Sequence, residues 1–261
     1  MMNLTKRTAD LAPLCKRLRL TPVLEHLNEL LEDPKTLRMG HVDLLFELFQ
    51  TEVTRRETNA IARRLKESKS PVLDATISNV DFAPERKLDQ ALILSLGNGD
   101  WIAKHQNVII TGKTGCGKTW LAGAYINAAC CLGYSAYFIR VPALVNELRD
   151  LIGLPKERKN FLRKLRTVDL LVLDDWGYGK FDDLTRSDLF EIIEHRRGKC
   201  STLITSVLPV SGWANYIKDV HYSDAILDRL VYNSHRIEIE GPSMRSRPEY
   251  GAVENESIKR R

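Results

Sequence analysis

The sequence predicts an α/β fold, with a parallel sheet flanked by helices, preceded by a small all-α N-terminal domain. Two observations predict it. Apolar residues recur at helical spacing in the first part of the chain, and short β-rich runs alternate with helical stretches in the second. Such alternation is typical of a parallel sheet covered by helices. The expected strands are Asn107–Thr111, Ser135–Arg140, Val168–Asp174, Ser201–Ser206 and His235–Ile239.

The first predicted domain is helical. From Leu11 to Lys69 the apolar side chains fall on helical faces, and Thr21-Pro22 is typical of a helix start with threonine as the cap. We expect these helices to be short and bundled, because proline and glycine residues interrupt the pattern. The predicted division of the chain is a helical domain at residues 1–72, an α/β domain at residues 73–245 and a flexible tail at residues 246–261.

Composition excludes several classes of protein. The chain has 261 residues, 28% of them charged, and no apolar stretch approaches the roughly 18 residues that a membrane helix needs. Its five cysteines form no C-x-x-C pair, which argues against a disulfide scaffold or a zinc site. We therefore expect a cytoplasmic protein without membrane contact. The net charge of +5 favours an anionic partner only weakly.

A phosphate-binding loop is the strongest motif. Gly112–Thr119 fits G-x-x-x-x-G-K-T and lies between an apolar strand and a helical stretch, as this motif requires. The glycines let backbone N–H groups turn toward phosphates, and the helix adds its dipole. Lys118 is expected to contact the β- and γ-phosphates of ATP, and Thr119 to bind Mg²⁺. The alternative is a glycine-rich turn without a ligand. The expected nucleotide-binding residues are Gly112, Lys113, Thr114, Gly115, Cys116, Gly117, Lys118 and Thr119.

A second motif ends in two carboxylates. The apolar run Leu170–Leu173 leads into Asp174 and Asp175, which is a Walker B pattern at a suitable distance behind the phosphate loop. Asp174 is expected to hold Mg²⁺ through water. Asp175 is expected to orient or deprotonate the attacking water, and so to be catalytic together with Lys118. The alternative is a pair of strand-terminal aspartates that caps the next helix.

Two further positions leave alternatives open. Thr205 and Ser206 end a predicted strand, where P-loop ATPases often place a polar sensor of the γ-phosphate, but hydroxyl residues at a strand end are usually turn formers. Arg229 lies in a helical pattern and is a candidate arginine finger for a neighbouring subunit. A surface salt bridge with Asp224 or Asp228 is its ordinary alternative.

These motifs together, with Leu208–Val210 and with Ala225–Leu230 followed by His235–Ile237, resemble the IstB-like helper ATPases of bacterial insertion sequences, whose relatives are the DnaC-like helicase loaders. The resemblance runs over nearly the whole chain. It implies a bacterial AAA+ ATPase that forms a homo-oligomer on double-stranded DNA with ATP and delivers a cognate transposase to its target. It also implies that Arg229 is an arginine finger. Arg245 is similar to a late arginine of the family and is a candidate nucleotide sensor, with a DNA phosphate contact as the alternative.

The chain departs from the family pattern at two places. Val207 stands where relatives carry asparagine or glutamine, and valine cannot form a hydrogen bond with phosphate or water. Most AAA+ proteins also have aspartate followed by glutamate at the Walker B end, where this chain has Asp174 and Asp175. The shorter second carboxylate predicts slow hydrolysis.

Basic residues before the α/β domain are the candidate contacts to DNA. Arg56 and Arg63 lie nearly on one helical face, so several cations can follow a phosphate backbone together. The alternative is a solvated face on which Glu52, Glu57 and Glu67 pair with these cations. No segment resembles a base-reading element, so we expect salt-sensitive backbone binding with little sequence preference. The candidates are Arg55, Arg56, Arg63, Arg64 and Lys66.

Four functions are compatible with these features. The leading hypothesis is a transposition helper whose subunits close around DNA with ATP. The second is a DnaC-like replicative helicase loader, which would favour single strands. A small-molecule P-loop kinase would need a lid, and the sequence shows no lid-like insert. A scaffold that binds ATP and hardly hydrolyses it is the fourth.

Overall fold

The computed structural model describes residues 2–33, Thr36 and residues 39–246, with side chains for residues 10–33, Thr36 and residues 39–245. The chain divides into two compact units, Met1–Arg63 and Arg64–Arg261. The domain boundary expected near residue 72 stays a prediction. The flexible tail expected over residues 246–261 lies outside the described residues, apart from the backbone of Ser246.

Within the described part of the N-terminal region, the helices are α1 at Met2–Arg17, α2 at Thr21–Glu32 and α3 at His41–Ser68. The expectation of short helices was wrong for α3. Its 28 residues contain no proline or glycine, so nothing interrupts a rise of about 42 Å. The expected cap of α2 was also wrong, because Leu20 precedes the helix without a side-chain hydrogen bond and Thr21 is its first residue. Pro22 stands in the first turn as predicted.

The second unit alternates helices with strands, and each predicted strand is present within about two residues of its expected bounds. The strands are β1 at Asn107–Gly112, β2 at Ala136–Arg140, β3 at Leu170–Trp176, β4 at Ser201–Ser206 and β5 at Ser234–Ile239. The helices are α4 at Gln90–Gly97, α5 at Asp100–Ala103, α6 at Lys118–Cys131, α7 at Val141–Asp150, α8 at Pro155–Thr167, α9 at Asp183–Arg196, α10 at Trp213–Ile217 and α11 at Val220–Val231.

The strands form one parallel sheet in the order β2-β3-β4-β1-β5. Successive side chains of a strand point to opposite faces, so Val108 and Ile110 enter one core while Ile109 enters the other. Helix α6 covers the first face, and α7, α9 and α11 cover the second. Because both faces are buried, the central strands are continuous apolar runs.

This strand order determines where a ligand can bind. β4 lies between β3 and β1, so the carboxyl ends of these three strands are neighbours at one edge of the sheet. The phosphate-loop motif follows β1, and the two aspartates lie at the end of β3. Open α/β sheets bind ligands at the carboxyl ends of their strands, so this edge is the expected place of the functional site.

Candidate functional site

The predicted phosphate loop joins β1 to α6 and has the backbone that an anion site needs. Gly115 and Gly117 have φ angles of +82° and +96°, a region that side chains other than glycine rarely adopt. A Cβ at Gly117 would also lie 3.1 Å from the Nη2 of Arg86. The loop ends at Lys118, the first residue of α6, whose N-terminal N–H groups and dipole favour negative charge.

Lys118 is buried against its own loop. Its Nζ donates to the carbonyl oxygens of Gly112 and Lys113, at 2.8 Å each. Cys116, between the two glycines, is buried as a small filler and lies 4.0 Å from the same nitrogen through its Sγ. These contacts hold the lysine beside the loop, and its contact with phosphate oxygens stays a prediction.

The two motifs are joined by a hydrogen bond. The Oγ1 of Thr119 donates to Asp174, with distances of 3.0 and 3.2 Å to the two carboxylate oxygens. Burial raises the pKa of Asp174 above its ordinary value, and hydrogen bonds from Thr205 and Thr119 oppose part of that shift. A divalent cation would offset the cost of the buried charge. The donor set, one hydroxyl and one carboxylate, fits Mg²⁺.

Asp175 is held from two sides. β3 is irregular between Leu173 and Trp176, and Asp175 has a φ of +61° that is uncommon outside glycine. Its backbone N–H donates to the Oγ1 of Thr205 at 3.1 Å. Two nitrogens of Arg140, at the end of β2, donate to its Oδ2 at 2.7 Å. The sequence analysis missed Arg140, because a single arginine after a strand has no motif to mark it.

The strand-end hydroxyls are fully buried in contacts within the chain. Thr205 donates to Asp174, so it supports the first Walker B carboxylate. Ser206 donates to the carbonyl of Trp176 at 2.7 Å and accepts from the N–H of Leu208 at 3.0 Å, as a turn former does. Val207 lines the cavity beside the phosphate loop. A direct contact of Thr205 or Ser206 with nucleotide stays a prediction.

A cavity of about 640 Å³ adjoins the phosphate loop. Thr114, Gly115, Gly117, Lys118 and Thr119 line it together with Asp175, so the structure brings both motifs to one space. Arg245 also lines it, from the short 3-10 turn Met244–Ser246. This position agrees with the predicted nucleotide contact of Arg245, although its role stays a prediction. Lining residues that sequence reasoning missed are Val72, Asn79, Asp81, Arg86, Trp120, Tyr178 and Met244.

Arg229 lies at the opposite end of the sheet. Its carbonyl oxygen accepts from the Nδ2 of Asn107, the first residue of β1, at 3.2 Å. β1 has six residues and is therefore about 20 Å long, which an arginine side chain does not bridge. Arg229 consequently cannot serve the phosphate loop of its own chain.

The guanidinium of Arg229 has a partner that the sequence analysis did not predict. It donates to Glu194 on α9 and to the carbonyl of Ala225 at 2.7 Å, and it lies 5.1 Å from the ring centre of Phe190. Hydrogen bonding by Arg229 lowers the pKa of Glu194. The alternative of a salt bridge with Asp224 or Asp228 is not realised, because packing of α11 on α9 brings Glu194 to the arginine.

Comparison with known proteins identifies the family. The sequence profile described as IstB-like ATP binding protein matches residues 13–252. The chain belongs to this family. A relative described as an insertion sequence ATP-binding protein of Sinorhizobium fredii is 41% identical over 229 residues, which cover 87% of this chain and 91% of the relative. The ATP-binding protein of insertion sequence IS1162 from Pseudomonas fluorescens is 37% identical over 195 residues, with coverages of 75% and 84%.

Solved structures with similar folds confirm the AAA+ architecture. DnaI has a TM-score of 0.56 at 22% identity, over 64% of this chain and 92% of its own. The DnaC helicase loader has a TM-score of 0.52 at 21% identity, over 64% and 97%. Family membership makes this protein an ATP-binding protein. Within the described residues, no helix combines the length and apolar character needed to cross a membrane.

The five candidate DNA contacts of α3 fall into three groups. Arg55 and Arg56 both donate to the buried carboxylate of Glu52, at 2.6 to 2.9 Å, so the alternative of pairing within the helix is realised there. Arg64 is half-buried and reaches the carbonyl of Cys130 at 3.5 Å. Arg63 and Lys66 are exposed. DNA binding by any of them stays a prediction.

Proposed function

We propose that this protein hydrolyses ATP, assembles on duplex DNA and helps a transposase to engage its target. The observation that carries the proposal is the hydrogen bond between Thr119 and Asp174, in a chain whose relatives are described as insertion sequence ATP-binding proteins. It supports a site for Mg²⁺ and nucleotide in a family whose members are described as insertion sequence ATP-binding proteins.

The residues at the carboxyl ends of the strands have separate roles in ATP hydrolysis. Backbone N–H groups of the loop and Lys118 bind the phosphates, while Thr119 and Asp174 hold Mg²⁺. Bound Mg²⁺ neutralises phosphate charge. Asp175 orients the attacking water and accepts its proton.

Arg140 is a positioning residue in this scheme. Its two hydrogen bonds to one oxygen of Asp175 fix the direction of the carboxylate. Asp175 has a shorter side chain than glutamate and is already bonded to the guanidinium of Arg140, so it is a less effective general base. We therefore infer slow turnover that depends on assembly.

Assembly of several chains would bring an arginine to the phosphate loop, which Arg229 of the same chain does not reach. Arg229 lies too far from its own phosphate loop, so we propose that it stabilises transition-state charge in a neighbouring subunit. DNA binding is assigned to two of the exposed cations of α3, Arg63 and Lys66, through contacts to the DNA backbone that salt weakens.

A DnaC-like helicase loader is the second candidate, since the chain shares the fold of the DnaC helicase loader. The two functions differ in the nucleic acid that they hold. A transposition helper acts on duplex target DNA, whereas a loader favours single strands.

ATP-dependent assembly on double-stranded and single-stranded DNA distinguishes these functions. Gel shift and light scattering are measured for the full chain, for Lys118→Ala and for Arg229→Ala, with Lys104→Ala as an exposed control. Large complexes on duplex that need ATP, and that only the first two substitutions abolish, support the proposal. Preference for single strands supports the loader. Absence of any DNA complex overturns both.

A further inference from the structure

Two donors from outside the phosphate loop bind consecutive carbonyl groups of that loop. The Nη2 of Arg86 donates to the carbonyl of Cys116 at 3.0 Å, and the N–H of Met244 donates to the carbonyl of Gly115 at 2.8 Å. Arg86 lies on the 3-10 turn Pro84–Arg86 ahead of α4, and Met244 follows β5. The loop is therefore held by segments outside the nucleotide motifs.

The bond from Arg86 sets the direction of the next backbone N–H. In a planar trans peptide the C=O and N–H groups point in opposite directions, so a Cys116 carbonyl that faces Arg86 turns the Gly117 N–H away from it. Gly117, with a φ of +96° and no side chain, does not by itself restrain this peptide. Backbone N–H groups of such loops are the anion-binding groups.

Arg86 differs from a buried arginine whose contacts are purely structural. Only 6% of Arg86 is exposed, and its Nη1 donates to the carbonyl of Asp81 at 2.7 Å and lies 4.0 Å from the Oδ2 of the same residue. Its buried Nε has no hydrogen-bond partner among the described residues. Arg196, 2% exposed, uses Nε, Nη1 and Nη2 on Thr202 and on carbonyls including Leu165 and Val168. An incompletely bonded buried guanidinium is costly, which argues for a role besides stability.

We propose that Arg86 is a positioning residue for nucleotide phosphates. It holds the Cys116–Gly117 peptide with its N–H directed at the phosphates of a nucleoside di- or triphosphate. The inference rests on the nucleotide site proposed above. Because it concerns the loop rather than hydrolysis, ATP and ADP affinities fall together when Arg86 is replaced, and turnover at saturating ATP changes little.

The test compares Arg86→Met and Arg86→Lys with wild type in the full chain. Kd values for ATP and ADP come from equilibrium titration, KM and kcat from phosphate release, and Tm from unfolding without nucleotide. We expect Arg86→Met to raise both Kd values and KM by about tenfold with kcat within about threefold. Arg86→Lys keeps one donor, but a single ammonium does not hold the Asp81 and Cys116 carbonyls together as the guanidinium does, so we expect its Kd values to stay about threefold above wild type.

Arg196→Met is the matched control, a second buried arginine bonded to carbonyls at the other end of the sheet. We expect it to lower Tm and to leave the Kd for ATP within about twofold. An Arg86→Met variant that lowers Tm with Kd unchanged overturns the inference. If that variant does not fold, wild-type affinity in Arg86→Lys at unchanged kcat overturns it. Failure of wild type to bind ATP would instead refute the nucleotide site itself.

Discussion

The two ends of the parallel sheet differ in how their candidate residues are partnered. At the carboxyl end, Thr119 and Thr205 both donate hydrogen bonds to Asp174 within one chain. At the amino end, Arg229 is bonded to Glu194, which belongs to no motif. A site completed within one chain has its working contacts in that chain. A residue that acts in a neighbouring subunit's site shows, in a single chain, only the contacts it makes when no neighbour is present. Its role must therefore be tested between chains.

The largest expected effect is a loss of turnover when Arg229, at the amino end of the sheet, is replaced. Arg229→Ala should lower kcat about a thousandfold, because the transition-state charge loses its cation. ATP affinity should stay within about twofold, since roughly 20 Å of β1 separate Arg229 from its own loop. Phosphate release and equilibrium ATP titration measure the two quantities.

Mixing two inactive variants tests whether Arg229 acts between chains. Asp175→Asn retains Arg229, and Arg229→Ala retains Asp175, so some interfaces of a mixture contain both residues. We expect the mixture to recover measurable turnover that neither variant has alone. No recovery, together with a lost ATP affinity in Arg229→Ala, would place the arginine in its own chain's site and contradict the comparison of the two ends.

The same difference explains what the sequence could predict. The phosphate loop and the Walker B carboxylates are local patterns next to apolar strands, and the structure brings them together. Arg86 and Arg140 are single arginines in connections, whose partners depend on chain packing. The partner of Arg229 was not predictable for the same reason, because Glu194 lies 35 residues away on another helix.

The fold divides in a similar way. Strand positions were predictable because strands buried on both faces are apolar runs with clear ends. Strand order was not, because β4 inserts between β3 and β1 through crossovers that leave no local pattern. The expected length of α3 was also wrong. The proline and glycine residues that predicted short helices all precede His41, and none lies within α3.

A smaller effect is expected at the carboxyl end when the cation is removed. Chelation of Mg²⁺ should lower the ATP affinity of wild type about tenfold, because Thr119 and Asp174 then bind no cation. Asp174→Asn should show the weaker affinity with Mg²⁺ present and little further loss on chelation, since both changes remove the same interaction. Titrations with Mg²⁺ and with EDTA measure this. Additive losses would show that Asp174 does not act through Mg²⁺.

The smallest expected effect concerns the contact of Arg229 with Glu194 within one chain. Hydrogen bonding by Arg229 lowers the pKa of Glu194, so this carboxylate is ionised at neutral pH and holds the arginine in the free chain. Its contribution to stability is present above its ordinary pKa of 4.5 and is lost as pH falls through the lowered value. Glu194→Gln should free the guanidinium at neutral pH and lower the concentration for half-maximal ATP-dependent assembly about threefold, as suits a partly exposed pair.

Glu191→Gln is the control for that substitution, because Glu191 lies on the same helix and its nearest cation is Arg166 at 3.8 Å. Light scattering across a dilution series measures assembly in both variants. Equal shifts would assign the effect to the lost charge of α9 alone. A higher concentration requirement in Glu194→Gln would show that Glu194 orients Arg229 for the neighbouring subunit, and the amino end would then be preformed in one chain as the carboxyl end is.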